Sequence, residues 1–230
     1  MEQIKINDRL LTAVTYVREG SVLADVGTDH AYLPIYLLNS GLISRAIAAD
    51  INVGPLEKAK ENIQKYGYGE EIRTVLCDGL AKINSDDVDD VAIFGMGGEL
   101  IVKIIDQASW LKNPQKRLIL QPMTHPEKLR EYLAENGYMI VGEVLSYDRG
   151  KIYQTICAEY DGEIRSFNEF TLLFGERILN EGSPLLLDLL ISVKNQLHRR
   201  IEGKAEGGDD VTTETALLSE IEKYIERLIL

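Results

Sequence analysis

Cysteine is scarce in this sequence, since its 230 residues include only Cys77 and Cys157. Two cysteines in separate apolar runs make neither a disulfide framework nor a zinc-ligand pattern, so we expect a reduced protein without a metal. No apolar run approaches the roughly 20 residues that a membrane span needs. The charged start, Met1–Lys5, lacks the apolar segment of a signal peptide. These absences predict a cytoplasmic protein with no membrane or metal partner, and no obligate protein partner is evident.

Positive charge is also in short supply. Lysine and arginine number 25 against 37 aspartate and glutamate residues, which gives a net charge of −12 and an isoelectric point near 4.8. This balance argues against non-specific attraction to nucleic acid, although a local basic patch can still bind phosphates. Basic residues gather in two places, at Arg149 with Lys151 and between Lys194 and Lys204. Taken alone, each cluster is more simply interpreted as a solvated face.

Up to about residue 160, short β-type runs alternate with helical patterns, which predicts parallel βαβ units. The predicted strands are 21–26, 46–50, 72–77, 90–94 and 117–121. Helices are predicted from Leu10 towards Gly20, from Pro34, from Pro55 and over 126–136. Two longer runs, 138–146 and 152–160, are joined by Asp148-Arg149-Gly150, and so short a connection predicts an antiparallel hairpin. Five parallel strands and an antiparallel pair are typical of an α/β, class I Rossmann-like methyltransferase domain, expected here over residues 1–162.

From about Phe167 the pattern is helical throughout. Ser183-Pro184 has the form of an N-cap followed by proline at the first helical position. Two apolar stripes at helical spacing then flank a polar segment, Glu202–Asp210, which we interpret as a loop. The stripes are Leu186, Leu190, Val193, Leu197 and Ile201, and then Leu218, Ile221, Ile225 and Leu228. They predict an antiparallel, coiled-coil-like helical hairpin as a separate C-terminal domain, residues 163–230.

The first predicted strand ends in Asp25-Val26-Gly27-Thr28-Asp29-His30. A strand ending in Asp-x-Gly brings a carboxylate and a tight turn to the carboxyl edge of the sheet, where ligands bind in open α/β folds. A dinucleotide site would need further glycines at 29 and 31, so that backbone amides approach a pyrophosphate. An aspartate there would repel a diphosphate but suits S-adenosylmethionine (SAM), which has no phosphate and carries positive groups. We therefore expect Asp25, Gly27, Thr28 and His30 to contact SAM, although a strand and turn without a ligand would give the same local pattern.

Two further strands end in aspartate. Asp50, followed by Ile51-Asn52, lies 25 residues after Asp25, and the third strand runs into Asp78-Gly79. An acidic side chain after the second strand can accept hydrogen bonds from both ribose hydroxyls of the cofactor. Asp78 can accept one from the adenine amino group, while Gly79 lets the backbone approach the ring. One aspartate in a loop is weak evidence, but three consecutive strands ending in aspartate at one edge strongly favour a SAM site.

The fourth strand runs into Gly95-Met96-Gly97-Gly98, and the fifth ends in Gln121-Pro122. Three glycines in four residues expose backbone donors and a helix N-terminus to the pocket, although a tight strand-to-helix turn is an equally good interpretation. We place Gly95, Met96 and Gly97 at the cofactor. Gly98, Gln121 and Pro122 are candidates for the methyl acceptor. The Asp-Pro-Pro-Tyr motif of amine methylases is absent here.

Four segments together resemble one enzyme family, the bacterial tRNA adenine-N1-methyltransferases of the TrmK type, which modify the adenine at tRNA position 22. The segments are Asp25–Pro34, Ala49–Leu56, Gly95–Gly98 and Leu120–Met123. The resemblance extends over the whole chain, including the C-terminal helical hairpin. It implies a SAM-dependent transfer of a methyl group to adenine N1 in tRNA. Independently of the resemblance, the positive charge that Lys194, Arg199 and Arg200 place on the hairpin predicts that they bind tRNA, the alternative being a packing appendage with solvated charges.

The resemblance further implies a mechanism of positioning and electrostatics, because adenine N1 has an in-plane lone pair that can attack the methyl group directly. N1 lies on the pairing edge, so the base must be unpaired or flipped. Asp29 is our candidate catalytic residue, holding the adenine amino group and the developing positive charge; its alternative role is to cap the next helix. Two alternative functions remain: a SAM enzyme acting on a protein or small molecule, and a non-catalytic RNA- or partner-binding protein with a SAM fold.

Overall fold

A computed structural model describes residues 4–229 of the chain. They form two compact units that divide between Ser166 and Phe167, a few residues after the boundary that the sequence predicts. The first unit holds every strand of the described chain and the second is helical. Each unit is described by itself below.

The first unit is built on a seven-stranded sheet with the order β3-β2-β1-β4-β5-β7-β6. Strands β1 to β5 run parallel, β7 pairs antiparallel with β5, and β6 pairs antiparallel with β7. This arrangement confirms the predicted five parallel strands and closing hairpin. The strands are β1 Val22–Val26, β2 Arg45–Asp50, β3 Ile72–Leu76, β4 Asp90–Met96, β5 Arg117–Pro122, β6 Tyr138–Asp148 and β7 Lys151–Tyr160.

Helices cover both faces of the sheet. Successive strand residues point to opposite faces, and accordingly Leu23 packs into one apolar cluster and Ala24 into the other. The cluster of Leu23 also holds Leu33 and Ile35 of helix α2, Tyr32–Asn39. The cluster of Ala24 holds Ile101 of helix α4, Gly98–Gln107. The helices of this unit are α1 Asp8–Leu11, α2 Tyr32–Asn39, α3 Val53–Tyr66, α4 Gly98–Gln107 and α5 Pro126–Glu135, with short 3-10 turns at Thr12–Thr15, Ser85–Asp87 and Ser109–Leu111.

Two helix starts predicted from proline are wrong by two residues. Helix α2 begins at Tyr32 and α3 at Val53, so Pro34 and Pro55 each occupy the third helical position. Proline is tolerated there because the first four N–H groups of a helix have no partner within it. The opening helix is also shorter than predicted, since its 3-10 continuation ends at Thr15.

The second unit consists of α6 Glu169–Phe174, α7 Glu176–Glu181, α8 Leu186–Gly207 and α9 Thr212–Ile229. The predicted start of α8 is wrong: Ser183 and Pro184 precede it, and Ser183 Oγ accepts a hydrogen bond from the Leu185 N–H over 3.2 Å. The predicted loop over 202–210 is also largely wrong, because α8 continues to Gly207 and ends where Gly208 adopts φ 80°. Glutamate, lysine and alanine in that stretch are good helix formers.

Helices α8 and α9 run antiparallel, as their ion pairs show. Lys194, early in α8, pairs with Glu222, late in α9, over 3.0 Å. At the other end, Lys204 and Arg200 both pair with Glu214, near the start of α9. The ion pairs therefore fix the relative direction of the two helices.

Candidate active site

The candidate site begins with three aspartates at the carboxyl ends of adjacent strands. Asp25 lies in β1, Asp50 ends β2, and Asp78 follows β3, and these strands are neighbours in the sheet. The turns that carry them are tied together by backbone hydrogen bonds. The N–H groups of Gly27 and Thr28 both donate to the Ala49 carbonyl, over 2.8 and 2.9 Å. The sheet topology therefore brings the three predicted cofactor strands to one edge.

Asp25 is the buried member of this set. Its Oδ2 accepts a hydrogen bond from Thr28 Oγ1 over 2.5 Å. Burial raises the pKa of Asp25 from 3.8 to about 6; the Thr28 hydrogen bond opposes this rise, the Asp29 and Asp50 carboxylates add to it, and the Arg9 guanidinium opposes it. Asp25 and Thr28 are both buried, and the hydrogen bond between their side chains stabilises the turn that follows β1.

Asp50 is half-buried and Asp78 is exposed, in contrast to the buried Asp25. Asp50 Oδ1 accepts a hydrogen bond from the Asn52 N–H over 2.7 Å, and within the described chain its Oδ2 has no hydrogen-bond donor. Beside it, Ile51 is 61% exposed, which is unusual for an isoleucine. The carboxyl end of β2 thus presents a carboxylate oxygen next to an apolar surface. At the end of β3, Asp78 is followed by Gly79, which adopts φ 52°.

The turn between β1 and α2 is strained. His30 and Ala31 both adopt φ 58°, a left-handed conformation that side-chain-bearing residues rarely adopt. The Asn62 side chain helps to hold it, donating from Nδ2 to the His30 carbonyl over 3.0 Å. Such strain clusters at functional sites, where the surrounding structure enforces it.

This turn leaves the Asp29 side chain 63% exposed. Ala31 is the N-cap residue of α2, and no side chain caps that helix. The alternative role of Asp29, helix capping, is therefore not seen. His30 Nε2 lies 3.8 Å from Asp29 Oδ1.

The glycines after β4 pack closely against their neighbours. Gly95 has φ 78° and lies at a bulge where the β4–β5 register shifts. A Cβ at Gly27 would lie 2.2 Å from Met96 Cε, so the β1 and β4 turns are in direct contact. A Cβ at Gly97 would lie 3.0 Å from Thr124 Oγ1, and one at Gly98 would lie 2.2 Å from the His125 carbonyl oxygen. Gly98 is consequently buried by backbone and packs the turns together.

Gln121 has no exposed surface, and its amide is fully engaged. Oε1 accepts from Arg9 Nη1 over 3.0 Å, and Nε2 donates to Thr155 Oγ1 over 3.0 Å and to the Arg9 carbonyl over 3.2 Å. Pro122 is buried as well. Gln121 and Pro122, the two candidates for contact with the methyl acceptor, therefore lie beneath the surface of the site. The next residue, Met123, is 41% exposed.

Arg9 belongs to the site, although the motifs of the sequence do not indicate it. Its Nη1 lies 3.4 Å from where a Cβ on Gly95 would stand, and it contributes to the electrostatics of Asp25. A buried glutamine in an apolar strand was the available signal, because its amide requires polar partners. Nothing in the sequence near residue 9 specifies that it is this partner.

The hairpin cations predicted to bind tRNA are partly neutralised within the second unit. Lys194 pairs with Glu222 over 3.0 Å, and Arg200 Nε lies 3.2 Å from Glu214 Oε1. Arg199 donates from Nε to the Asn195 carbonyl over 3.2 Å. Among these three, Arg199 has no acidic partner in the described part of the chain.

Residues 4–229 contain neither a metal-binding cluster nor a membrane-spanning helix. No group of three or more histidine, cysteine, aspartate or glutamate side chains among them is arranged to hold a metal ion. No helix in this range combines the length and apolar character that crossing a bilayer requires.

Comparison with known proteins identifies the family to which the chain belongs. The family model of TrmK, tRNA (adenine(22)-N(1))-methyltransferase, matches residues 23–226. The chain belongs to this family. The match covers the aspartates of all three strands and most of the second unit, which confirms the resemblance found in the sequence.

Individual relatives agree with the family. The tRNA (adenine(22)-N(1))-methyltransferase of Bacillus subtilis strain 168 is 36% identical over 175 residues, 76% of this chain and 74% of that protein. The crystal structure of the B. subtilis m1A22 tRNA methyltransferase TrmK has 30% identity and a TM-score of 0.82, covering 99% of this chain and 100% of that one. A candidate tRNA (m1A22) methyltransferase of Streptococcus pneumoniae, solved with S-adenosyl-L-methionine, has 31% identity and a TM-score of 0.85, covering 96% and 100%. The Rossmann-like methyltransferase fold is thereby confirmed.

Proposed function

We propose that this protein transfers a methyl group from SAM to N1 of the adenine at position 22 of tRNA. The observation that carries the proposal is the row of three aspartates at adjacent strand ends, in a chain that matches the TrmK family from residue 23 to 226. An enzyme of tRNA modification works where tRNA is, and we accordingly place it in the cytoplasm.

The residues at the sheet edge fit SAM as the cofactor. Asp50 Oδ2 is without a donor in the described chain and suits the ribose hydroxyls, while exposed Ile51 offers an apolar surface to the adenine ring. Asp78 suits the adenine amino group. Gly27 is half-buried with Met96 packed against it, and its backbone is the group we assign to the amino acid part of the cofactor. When bound, SAM supplies a methyl group made electrophilic by its sulfonium.

Asp29 is the group that we assign to the methyl acceptor. Its carboxylate is exposed at the same edge, held by the strained turn and not committed to capping α2. Adenine N1 becomes positively charged as its bond to the methyl group forms, and a fixed carboxylate stabilises that charge where it develops. The same carboxylate can accept a hydrogen bond from the adenine amino group and so orient the base. No covalent enzyme intermediate is needed.

The helical hairpin is the proposed second contact with tRNA. Of the three side chains predicted to bind tRNA, Arg199 is the best placed, because Lys194 and Arg200 have acidic partners. A phosphate must compete with Glu222 or Glu214 for those two side chains, which makes them weaker contacts. Acidic residues elsewhere on the chain keep non-specific binding of other nucleic acids low.

Incubation with labelled SAM and bulk unmodified tRNA tests this function against its alternatives. Label in tRNA is the expected result. Label in added protein or in a small molecule would indicate a SAM enzyme with another acceptor. SAM binding without any transfer would indicate a binding protein with a SAM fold.

A further inference from the structure

The β6–β7 hairpin extends past the carboxyl edge of the sheet. Strand β7 pairs with β5 as far as Ile156 opposite Leu120, whereas its pairing with β6 continues to Lys151 opposite Asp148. Only two residues of β5 follow Leu120. The last three residue pairs of the hairpin therefore project about 10 Å beyond the end of β5, at about 3.4 Å per residue. We call residues 146–153 the hairpin overhang.

The overhang lies beside the acceptor part of the site. In the sheet order, the three aspartate-bearing strand ends occupy one side, and β4, β5 and β7 follow on the other. A tRNA whose target base enters over β4 and β5 must place its neighbouring nucleotides along this edge. Because β7 is the strand next to β5, the overhang is the protein surface closest to those neighbouring nucleotides.

Two cations of the overhang are exposed and unpaired. Arg149 and Lys151 form the hairpin tip, and neither has an ion-pair partner among residues 4–229. Asp148, opposite Lys151 in the register, is the only acidic residue of the overhang, and it is half-buried. In so acidic a chain, an unneutralised pair of cations at the catalytic edge favours a polyanionic partner.

One face of the overhang also carries an aromatic ring between cations. Lys151, Tyr153 and Thr155 alternate along β7 and so share a face. The Arg9 guanidinium carbon lies 5.8 Å from the centre of the Tyr153 ring. A row of guanidinium, aromatic ring and ammonium suits nucleic acid, because the cations meet phosphates and the ring offers a stacking surface.

The hairpin turn itself uses an unfavourable residue. Arg149 and Gly150 have φ 47° and 81°, the two left-handed positions of a type I′ turn, where asparagine, aspartate or glycine is preferred at the first position. Arginine there gains nothing for the fold, since its side chain is exposed and unpaired within the described chain. A residue that breaks a local rule at a surface is expected to serve a function.

We propose that the hairpin overhang binds the tRNA backbone next to the target adenine, through Arg149 and Lys151 with Tyr153 and Arg9 behind them. The proposal rests on the proposed function, because it requires tRNA as the substrate. It adds a tRNA contact in the first unit, beside the chemistry and independent of the helical hairpin.

The test is a charge reversal at the tip, Arg149→Glu with Lys151→Glu, in the full chain. Affinity for an unmodified tRNA transcript is measured by fluorescence anisotropy over a range of salt concentrations. We expect affinity to fall at least tenfold at about 0.1 M salt, and the log–log salt slope to become shallower by about two, one per lost phosphate contact. Affinity for SAM, measured by calorimetry, should stay within about twofold, since neither residue touches the cofactor edge.

A matched control changes charge by the same amount at the opposite edge. Arg45 begins β2 and Lys112 precedes β5, so both lie at the amino ends of parallel strands, and both are exposed. The pair Arg45→Glu with Lys112→Glu should leave tRNA affinity near that of the unaltered protein. An equal loss in both double variants, or no loss in either, would overturn the proposal.

A milder variant separates binding from folding. Arg149→Asn removes the charge and places a preferred residue in the turn, so thermal stability should be equal or higher while tRNA affinity falls about threefold or more. Unchanged affinity there, together with unchanged affinity in the double reversal, rejects the overhang while methylation by the unaltered protein still stands. Failure of the unaltered protein to bind or methylate any tRNA would reject the proposed function and this contact with it.

Discussion

Arg9 donates a hydrogen bond from Nη1 to Oε1 of Gln121 over 3.0 Å, joining the amino-terminal helix to a strand residue with no exposed surface. Gln121 continues the connection to Thr155 on β7, whose hydroxyl lies 2.7 Å from that of Thr12. The acceptor side of the site is therefore supported by a buried polar network. Such networks fix one arrangement when every member is satisfied and are costly when one is removed.

Gln121→Leu should accordingly destabilise the protein. The change removes the acceptor of the Arg9 Nη1 hydrogen bond and one of the two partners of the Thr155 hydroxyl, and an unsatisfied buried group costs about 1–3 kcal/mol. Urea denaturation measures the change in unfolding free energy. Gln107→Leu, at an exposed helix end, is the control and should shift it by less than about 0.5 kcal/mol. Equal effects of the two changes would show that the network does not stabilise the fold.

Asp50→Ala should weaken SAM binding severely, because it removes the acceptor of two ribose hydroxyl hydrogen bonds. Asp78→Ala should cost less, about 0.5–1.5 kcal/mol for a single adenine hydrogen bond. Calorimetric titration with SAM measures both, and Asp86→Ala, exposed on a 3-10 turn, serves as the control. Near-normal SAM affinity in Asp50→Ala would remove Asp50 from the cofactor site.

Asp29 should affect transfer and not cofactor binding. We expect Asp29→Ala to lower kcat by about tenfold or more, a loss of at least about 1.4 kcal/mol of transition-state stabilisation, with SAM affinity retained. Asp29→Asn keeps an oxygen for the adenine amino group but loses the negative charge, so its KM for tRNA should change less than its kcat. A parallel fall of SAM affinity and kcat in both variants would make Asp29 a cofactor or structural residue.

The buried Asp25 carboxyl predicts a pH-dependent stability. Its pKa in the folded protein is about 6, against 3.8 for the free side chain, so the folded state holds more protons between these values. Stability is therefore lost as pH rises from about 4 to above 6, and the full penalty, about 3 kcal/mol at 1.36 kcal/mol per pKa unit, persists at neutral pH. Asp25→Asn removes this penalty while its oxygen can still accept the Thr28 hydrogen bond.

Urea denaturation of Asp25→Asn and the unaltered protein at several pH values tests this linkage. The stability advantage of the variant should be smallest near pH 4 and grow to a plateau above pH 6 to 7. Asp86→Asn is the exposed control and should give no such trend. An advantage that does not change with pH would contradict a raised pKa for Asp25.

Much of the fold follows from local sequence patterns. Apolar runs separated by helical patterns predicted all seven strands, and the Asp148-Arg149-Gly150 connection predicted the antiparallel closure that the structure shows. Helix boundaries were less predictable where a residue suits several positions. Proline fits any place in the first helical turn, and the charged stretch before Gly207 fits either a loop or an exposed helix.

The candidate site was predictable where one strand end supplies one polar residue. Asp25, Asp50 and Asp78 lie at adjacent strand ends, as expected for parallel strands. Their burial differs, however, and it depends on neighbours distant in sequence: Asp25 is buried, Asp50 is half-buried and Asp78 is exposed. Gln121 was expected to face the acceptor but is buried against Arg9, a partner 112 residues away that no local pattern indicates.

The central claim is that the methyl group goes to N1 of adenine 22. The most direct measurement is nuclease mapping with mass spectrometry of an unmodified tRNA transcript after incubation with the enzyme and SAM, beside a transcript with guanine at position 22. The account predicts one 1-methyladenine per molecule, located at position 22, and none in the substituted transcript. Equal methylation of both transcripts, or a methyl group on another atom or residue, would contradict it.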